Sequence, residues 1–137
     1  MELTVVESFS GLGAFFGYFA ASAVLLVLFC VVYLRVTPYA ELGLVKEGKT
    51  APAVSFGGAV IGFVLPLASA ISHSVSFLDM VLWAVVALVV QVIVFLVLKA
   101  FLSGLVRDIA EDRMGPAIVV AVFSTAAGIL NAACMTW

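Results

Sequence analysis

Long uncharged, apolar stretches follow one another along the chain. They cover residues 8–34, 50–78, 80–98 and 114–137. A helix formed by VLLVLFCVV or by VVALVVQVIVFLVL would be apolar on every side. The strands of a membrane β-barrel instead alternate apolar and polar positions. A helix needs about 20 apolar residues to cross a bilayer. The pattern therefore predicts an all-α integral membrane protein with four transmembrane helices, near 14–35, 52–72, 79–101 and 116–136.

The composition agrees with a chain that is surrounded by lipid. Of 137 residues, 66% are hydrophobic and 10% are charged, whereas about a quarter of a soluble domain is charged. A soluble chain of this size could not bury so much apolar surface in one core. The start carries Glu2 and Glu7 and no basic residue, so we interpret the first stretch as a spanning helix and not as a cleaved signal peptide. The lipid bilayer is the expected partner, and nucleic acid is not.

The basic residues predict how the chain is oriented. All of them lie in the two linkers between the first and second and between the third and fourth predicted helices: Arg35, Lys46, Lys49, Lys99, Arg107 and Arg113. Lysine and arginine in short loops remain in the cytoplasm. We therefore predict that both linkers face the cytoplasm and that both termini lie outside it. Boundary aromatic residues agree, with Trp83 and Trp137 expected at the outer boundary and Tyr33 and Tyr39 at the inner one.

A weak internal repeat divides the chain into two halves. A shift of 64 residues places Glu47 on Glu111 and Pro52 on Pro116, and the order of features is the same in both halves. Each half has two spans, so both halves insert the same way up and are related by an axis along the membrane normal. We predict one membrane domain, 1–137, built from parallel two-helix repeats at about 10–72 and 76–137.

Each linker has the pattern of a short amphipathic helix on the cytoplasmic surface. In the first, Thr37 is a suitable cap, Pro38 suits the first helical position and Gly48 can end the helix. In the second, Ser103 is a suitable cap and one face is apolar. The candidate residues of these surface helices are Leu42, Val45, Lys46, Arg107 and Ile109. Such a helix either joins two spans while lipid covers its apolar face, or docks a cytoplasmic protein partner.

Small residues recur at helical spacing in three of the predicted spans. Such residues let helices approach closely, because lipid supplies no hydrophobic force between them. The candidate packing or oligomer contacts are Gly13, Gly17, Gly58, Gly62, Ser124 and Gly128. Four helices cannot use every small face internally, so we expect a homo-oligomer.

Polar or helix-breaking residues inside the spans form a candidate polar site. Pro66 frees the carbonyl group of Gly62, and Asn131 lies near the matching place in the second half. Gln91 and Ser22 lie at similar depth in the two other spans. Interrupted helices at matching positions point to transporter sites, but the same side chains also form single hydrogen bonds that join helices. Both interpretations stay open.

The chain lacks the residue sets of common active sites. It has one histidine, His73, which is too few for a histidine-based metal site. No ionisable residue lies deep in a predicted span, which argues against a proton-driven pump. Cys30 and Cys134 are expected near opposite ends of their spans, too far apart for a disulfide bond. We expect no catalytic residues, no metal and no cofactor, and therefore no enzyme.

Two stretches of the chain resemble a known family. Residues 37–63, TPYAELGLVKEGKTAPAVSFGGAVIGF, and 128–135, GILNAACM, are similar to the YjfL-like inner-membrane proteins, also called the domain of unknown function family 350. The resemblance covers essentially the whole chain. It implies a bacterial inner-membrane protein with a duplicated two-helix unit, and it implies no particular activity.

Two functions fit these features. The first is a structural or accessory membrane component that acts through helix packing and its cytoplasmic amphipathic segments. The second is an oligomeric channel or small-solute transporter with a polar path near Gln91, Asn131 and Pro66. A channel needs polar residues of several helices on one continuous stripe, so the packing of these side chains distinguishes the two functions.

Overall fold

The computed structural model describes residues 2–37 and 41–135, with side chains from Val5 onward. Every regular element in these ranges is an α-helix. The helices are α1 (Glu2–Val36), α2 (Glu41–Lys46), α3 (Thr50–His73), α4 (Phe77–Phe101), α5 (Leu105–Ala110) and α6 (Met114–Cys134). Three residues for which we made predictions, Pro38, Tyr39 and Trp137, lie outside the described part.

Four of these helices, α1, α3, α4 and α6, are long and apolar enough to cross a membrane. The all-α class and the four candidate spans are therefore confirmed. Each of α3, α4 and α6 begins two residues before its predicted start. The predicted start of α1 is wrong, because the helix begins at Glu2 and not near residue 14. Residues 2–13 contain no proline, so nothing in them stops a helix from extending past the apolar run.

The core lies where α3 and α6 pack against each other. Helix α4 packs against both, and α1 packs against α3 and α4. Aromatic rings hold α1 in place. The ring of Phe29 stacks on Phe63 of α3 with centroids 4.4 Å apart, and the ring of Tyr33 contacts Phe56 and Phe95. The second half of α1 is thus attached to a core of three helices.

The bundle has two distinct ends. At one, which we name the linker end, α2 and α5 lie beside α3, and α5 also contacts α6. At the other, which we name the loop end, residues 74–76 join α3 to α4. Ala70, Met80 and Met135 pack together there and are buried. The two cysteines are free thiols, with Cys134 exposed at the loop end.

A residue with positive φ follows each linker helix. Gly48 (φ 91°) follows α2, and Asp112 (φ 65°) follows α5. The backbone N–H of Gly48 donates to the carbonyl oxygen of Val45 at 2.9 Å, which is how helices commonly end at glycine. The prediction that Gly48 ends the first linker helix is therefore confirmed.

Two expectations for the linker helices are wrong. Ser103 does not cap the second helix, because α5 begins after Gly104, whose φ is 76° and which gives no side-chain cap. Ile109 does not face lipid or a partner, because it is fully buried in the core cluster of the chain. The capping role expected of Thr37 concerns residues 38–40, which lie outside the described ranges.

Candidate functional site

Helices α3 and α6 approach each other closely where small residues of both helices meet. A Cβ atom at Gly58 would overlap the backbone of Ala121, and a Cβ atom at Gly62 would overlap the carbonyl oxygen of Ser124. A Cβ atom at Gly128 would likewise overlap the backbone of Gly62. Four of the six residues that we singled out as packing contacts therefore meet at one interface within the chain.

The other two packing candidates, Gly13 and Gly17, do not take part in this interface. A Cβ atom at either position would meet nothing within 4 Å. The same spacing of glycines thus has two outcomes. Gly58 and Gly62 pack against α6, whereas the face with Gly13 and Gly17 is not covered by another described helix.

Gln91 lies where α4 meets α3 and α6, and it is fully buried. Its Nε2 donates to the carbonyl oxygen of Ser124 at 3.0 Å, and a Cβ atom at Gly62 would lie only 2.6 Å from that nitrogen. The Oε1 of Gln91 and the Oγ of Ser124 are buried and have no hydrogen-bond partner among the described residues. Gln91 therefore joins two helices at the point where glycine gives it room.

Gln91 and Ser22, which the sequence places at similar depth, do not bond to each other. The hydroxyl of Ser22 donates to the carbonyl oxygen of Phe19 in its own helix at 2.8 Å. The polar side chains at this depth therefore serve separate local contacts.

Pro66 and Asn131 are not joined through the freed carbonyl group of Gly62. Pro66 is buried in α3, and the carbonyl oxygen of Gly62 lies against Gly128. The Nδ2 of Asn131 is buried and has no hydrogen-bond partner in the described part of the chain. Gly128 packs against this carbonyl group, so a hydrogen bond from Asn131 does not join the two helices there.

We expect Gln91→Leu to lower the free energy of unfolding by about 1 kcal/mol, because it removes one hydrogen bond between membrane helices. Thermal unfolding in nanodiscs measures the change. Asn131→Leu is the matched control, since the amide nitrogen of Asn131 makes no hydrogen bond that could be lost. Equal destabilisation by the two substitutions would contradict the assignment.

Two hydrogen bonds join the two linkers, and we name this pair of bonds the latch. The Nζ of Lys49 donates to the carbonyl oxygen of Ala110 at 3.0 Å, at the end of α5. The Oδ1 of Asp112 accepts from the backbone N–H of Ala51 at 2.8 Å, in the first turn of α3. Lys49, the residue before α3, offers no side-chain cap of its own, so Asp112 satisfies a free N–H from the other half of the chain.

Sequence reasoning missed this latch and also missed the burial of Glu41. The carboxylate of Glu41 is almost fully buried and its Oε2 lies 3.3 Å from the Oγ1 of Thr37. Local sequence offered no signal for the latch because its partners lie 61 residues apart. The burial of Glu41 could have been inferred from the apolar residues next to it in the linker. A short helix that buries its apolar face can also bury its first residue.

The predicted surface residues divide into two groups. Leu42, Val45, Lys46 and Arg107 are exposed at the linker end, with Leu42 60% exposed. Ile109 is buried, as is Leu105 on the same face of α5. The accessible part of the linker end therefore includes α2 and the charged face of α5.

Comparisons with known proteins agree with the resemblance seen in the sequence. The family model described as Domain of Unknown Function (DUF350) matches residues 7–135. The chain is 35% identical over 124 residues to the UPF0719 inner membrane protein YjfL of Escherichia coli (strain K12), a match that covers 90% of this chain and 94% of that protein. It is 27% identical over 119 residues to the UPF0719 transmembrane protein YshE of Bacillus subtilis (strain 168), with 85% and 88% covered. No solved structure matches the chain. The chain belongs to the DUF350 family.

Proposed function

We propose that this protein is a structural or accessory component of the bacterial inner membrane that presents its linker end to a cytoplasmic protein partner. The latch carries the proposal. Lys49 and Asp112 hold the two linkers together by hydrogen bonds at 3.0 and 2.8 Å, so the end of α5 is tied to the start of α3. Helix α2 also packs on α3, and the two linker helices therefore lie on one supporting helix. A surface that is already ordered loses little conformational entropy when a partner binds.

The distribution of charge supports a cytoplasmic linker end. All six lysine and arginine residues lie in or beside the two linkers, and basic residues in short loops are retained in the cytoplasm. The relative from Escherichia coli is described as an inner membrane protein. Both termini then lie outside the cytoplasm.

The exposed residues of the linker end give the surface its character. Leu42 and Val45 add apolar area, and Lys46 and Arg107 add positive charge. Exposed Glu47 and Glu111 lie in the same two linkers, so the surface suits a partner that offers an apolar patch and charged groups of both signs. Ile109 has no part in this surface because the core covers it.

We also propose that the chain is a duplicated two-helix unit with the halves in parallel. Helices α2 and α5 begin and end 64 residues apart, and α3 and α6 begin 64 residues apart. The residues with positive φ, Gly48 and Asp112, have the same separation. These matches support the shift of 64 residues found in the sequence.

The accessory role ranks above a channel or transporter because of where the polar side chains point. Gln91 donates to Ser124 across α4 and α6, whereas Ser22 bonds within α1. A water path needs such groups on one continuous stripe. The proposal assigns the protein no catalytic chemistry and no cofactor.

The orientation is tested with single cysteines in a variant that carries Cys30→Ala and Cys134→Ala. We expect Lys46→Cys to escape a membrane-impermeant maleimide in spheroplasts and to react in inverted vesicles. Ser74→Cys, in the loop between α3 and α4, is the matched control and should show the reverse. The opposite pattern would overturn the proposed orientation.

The docking surface is tested by photo-crosslinking in cells. A photoreactive residue at position 42, 46 or 107 should give one discrete protein adduct, while the same residue at position 74 or 76 should not. We expect Arg107→Glu to abolish the adduct from position 42 without changing thermal stability, because Arg107 is exposed. Adducts of equal yield from both ends of the bundle, or none from either, would overturn the proposed docking role.

A further inference from the structure

Helix α1 is much longer than the bundle to which it is attached. It has 35 residues, about 52 Å at 1.5 Å per residue, whereas α3, α4 and α6 have 24, 25 and 21. Ala21 and Leu25 of α1 pack on the cluster of Ala70, Met80 and Met135 at the loop end. Most of α1 before Ala21 therefore extends past the ends of the other long helices. We name residues 5–20 the projecting segment.

The projecting segment is apolar and uncovered. Every residue from 5 to 20 is exposed. Eight large apolar side chains in it are 36–69% exposed: Val5, Val6, Phe9, Leu12, Phe15, Phe16, Tyr18 and Phe19. Since an aromatic side chain alone presents about 150–250 Å², the exposed apolar area is on the order of 800 Å². An apolar patch of this size marks an interaction surface.

Large and small side chains lie on two different faces of this segment. One face carries Ser10, Gly13, Ala14 and Gly17, at the spacing that places residues on one side of a helix. We name it the small face. The other carries Phe9, Leu12, Phe16 and Phe19, and we name it the bulky face. A Cβ atom at Gly13 or Gly17 would meet nothing within 4 Å, so the small face is open.

The other described helices do not lie against the centre of the small face or the centre of the bulky face. A shallow groove between α1 and Ile71 is lined on the α1 side by residues that include Gly11, Ala14 and Tyr18. Gly13 and Gly17 do not line it. Ala14 and Phe19 line the groove at the edge of each face. The centres of the small face and of the bulky face are therefore free to meet another molecule.

We propose that the projecting segments of neighbouring copies of this chain pack together, the bulky face of one copy in the small face of the next. This inference does not depend on the proposed docking role of the linker end. Copies inserted the same way up carry identical segments at identical height. A contact between unlike faces covers both of them in an assembly of several copies, whereas a contact between two small faces leaves the phenylalanines uncovered.

A second copy explains the segment better than lipid does. Small residues let a neighbouring helix approach closely, whereas lipid chains do not reach the part of the segment that lies beyond the hydrocarbon core. Each copy uses both of its faces, so its two contacts together can bury an area comparable to the roughly 800 Å² that each partner buries in a standard protein interface. The hydrocarbon core is about 30 Å thick, so α1 at full length outreaches it.

Disulfide crosslinking between unlike positions tests the proposal. Two differently tagged full-length chains, both with Cys30→Ala and Cys134→Ala, are co-expressed, one with Gly17→Cys and the other with Phe16→Cys. On oxidation in native membranes we expect the mixed disulfide to form, because the two positions lie within disulfide reach only if unlike faces meet. Gly11→Cys in place of Gly17→Cys is the control, since Gly11 is equally open but lies on the side of the groove.

The mass of the intact complex in nanodiscs gives an independent measurement. We expect several copies for the natural sequence and for Gly11→Leu, and single copies for Gly17→Leu with an unchanged thermal transition of the bundle. Single copies of the natural sequence would overturn the proposal and leave lipid as the cover of α1. Crosslinks between two Gly17→Cys chains in place of the mixed pair would overturn the contact between unlike faces. These results and the labelling of Lys46→Cys are independent of each other.

Discussion

Gly62→Ala is expected to lower the free energy of unfolding by about 3 kcal/mol, the upper part of the range for overpacked cores. The added methyl group would overlap the carbonyl oxygen of Ser124 and lie 2.6 Å from the Nε2 of Gln91. A carbonyl oxygen in a helix cannot move aside as the end of a flexible side chain can. The substitution therefore separates α3 from α6 and also breaks the hydrogen bond from Gln91. Thermal unfolding in nanodiscs measures the loss.

Gly57→Ala is the matched control for this experiment. It adds the same methyl group to the same helix five residues earlier, where a Cβ atom would meet nothing within 4 Å. We expect its unfolding temperature to equal that of the natural sequence or to exceed it slightly, because alanine favours helices more than glycine does. If Gly62→Ala unfolded at the same temperature as Gly57→Ala, the close contact between α3 and α6 would be refuted.

These glycines show how far a sequence pattern can be read. The spacing of Gly58 and Gly62, and of Ser124 and Gly128, correctly indicated helix faces that pack closely. It did not indicate that these two faces meet each other, because small residues fit against any helix backbone. Gly13 and Gly17 have the same spacing, but a Cβ atom at either position would meet nothing within 4 Å. The pattern predicts that a face is suited to close approach, and only the structure identifies the face it meets.

The spans themselves were predictable because lipid imposes a simple rule. A run of about 20 apolar residues must be helical to satisfy its backbone hydrogen bonds in a membrane, so α3, α4 and α6 begin close to the predicted positions. The rule applies only inside the bilayer. It gave no reason to extend α1 back to Glu2, because residues outside the membrane become helical through local propensity and through contacts that a hydropathy pattern does not contain.

The linker end was the least predictable part of the fold. Its geometry depends on contacts between residues 61 apart, from Lys49 to Ala110 and from Asp112 to Ala51. The charged residues of both linkers are equally consistent with side chains that only contact solvent. Asp112 adopts a positive φ of 65°, a conformation that aspartate reaches more readily than most residues. Even so, an aspartate in a linker has many conformations, and the sequence alone does not select this one.

Phe29→Ala is expected to lower the free energy of unfolding by about 3 kcal/mol and to loosen α1 from the bundle. Phe29 is fully buried, and its ring stacks on Phe63 with centroids 4.4 Å apart and planes 2° from parallel. It also contacts the ring of Tyr33 one turn later. Because α1 has few other buried side chains, the cavity would remove much of what attaches it to α3 and α4.

Hydrogen exchange in nanodiscs separates detachment of α1 from general unfolding. We expect faster exchange in α1 of the Phe29→Ala variant while α3 and α6 keep their protection, because the contact of Gly62 with Ser124 and Gly128 is untouched. Phe123→Ala on α6 is the control, since Phe123 is 55% exposed and its loss leaves no buried cavity. Uniformly faster exchange in all helices of the Phe29→Ala variant would contradict this expectation. It would mean that α1 is a part of the core and is held by more than the stacked rings of Phe29 and Phe63.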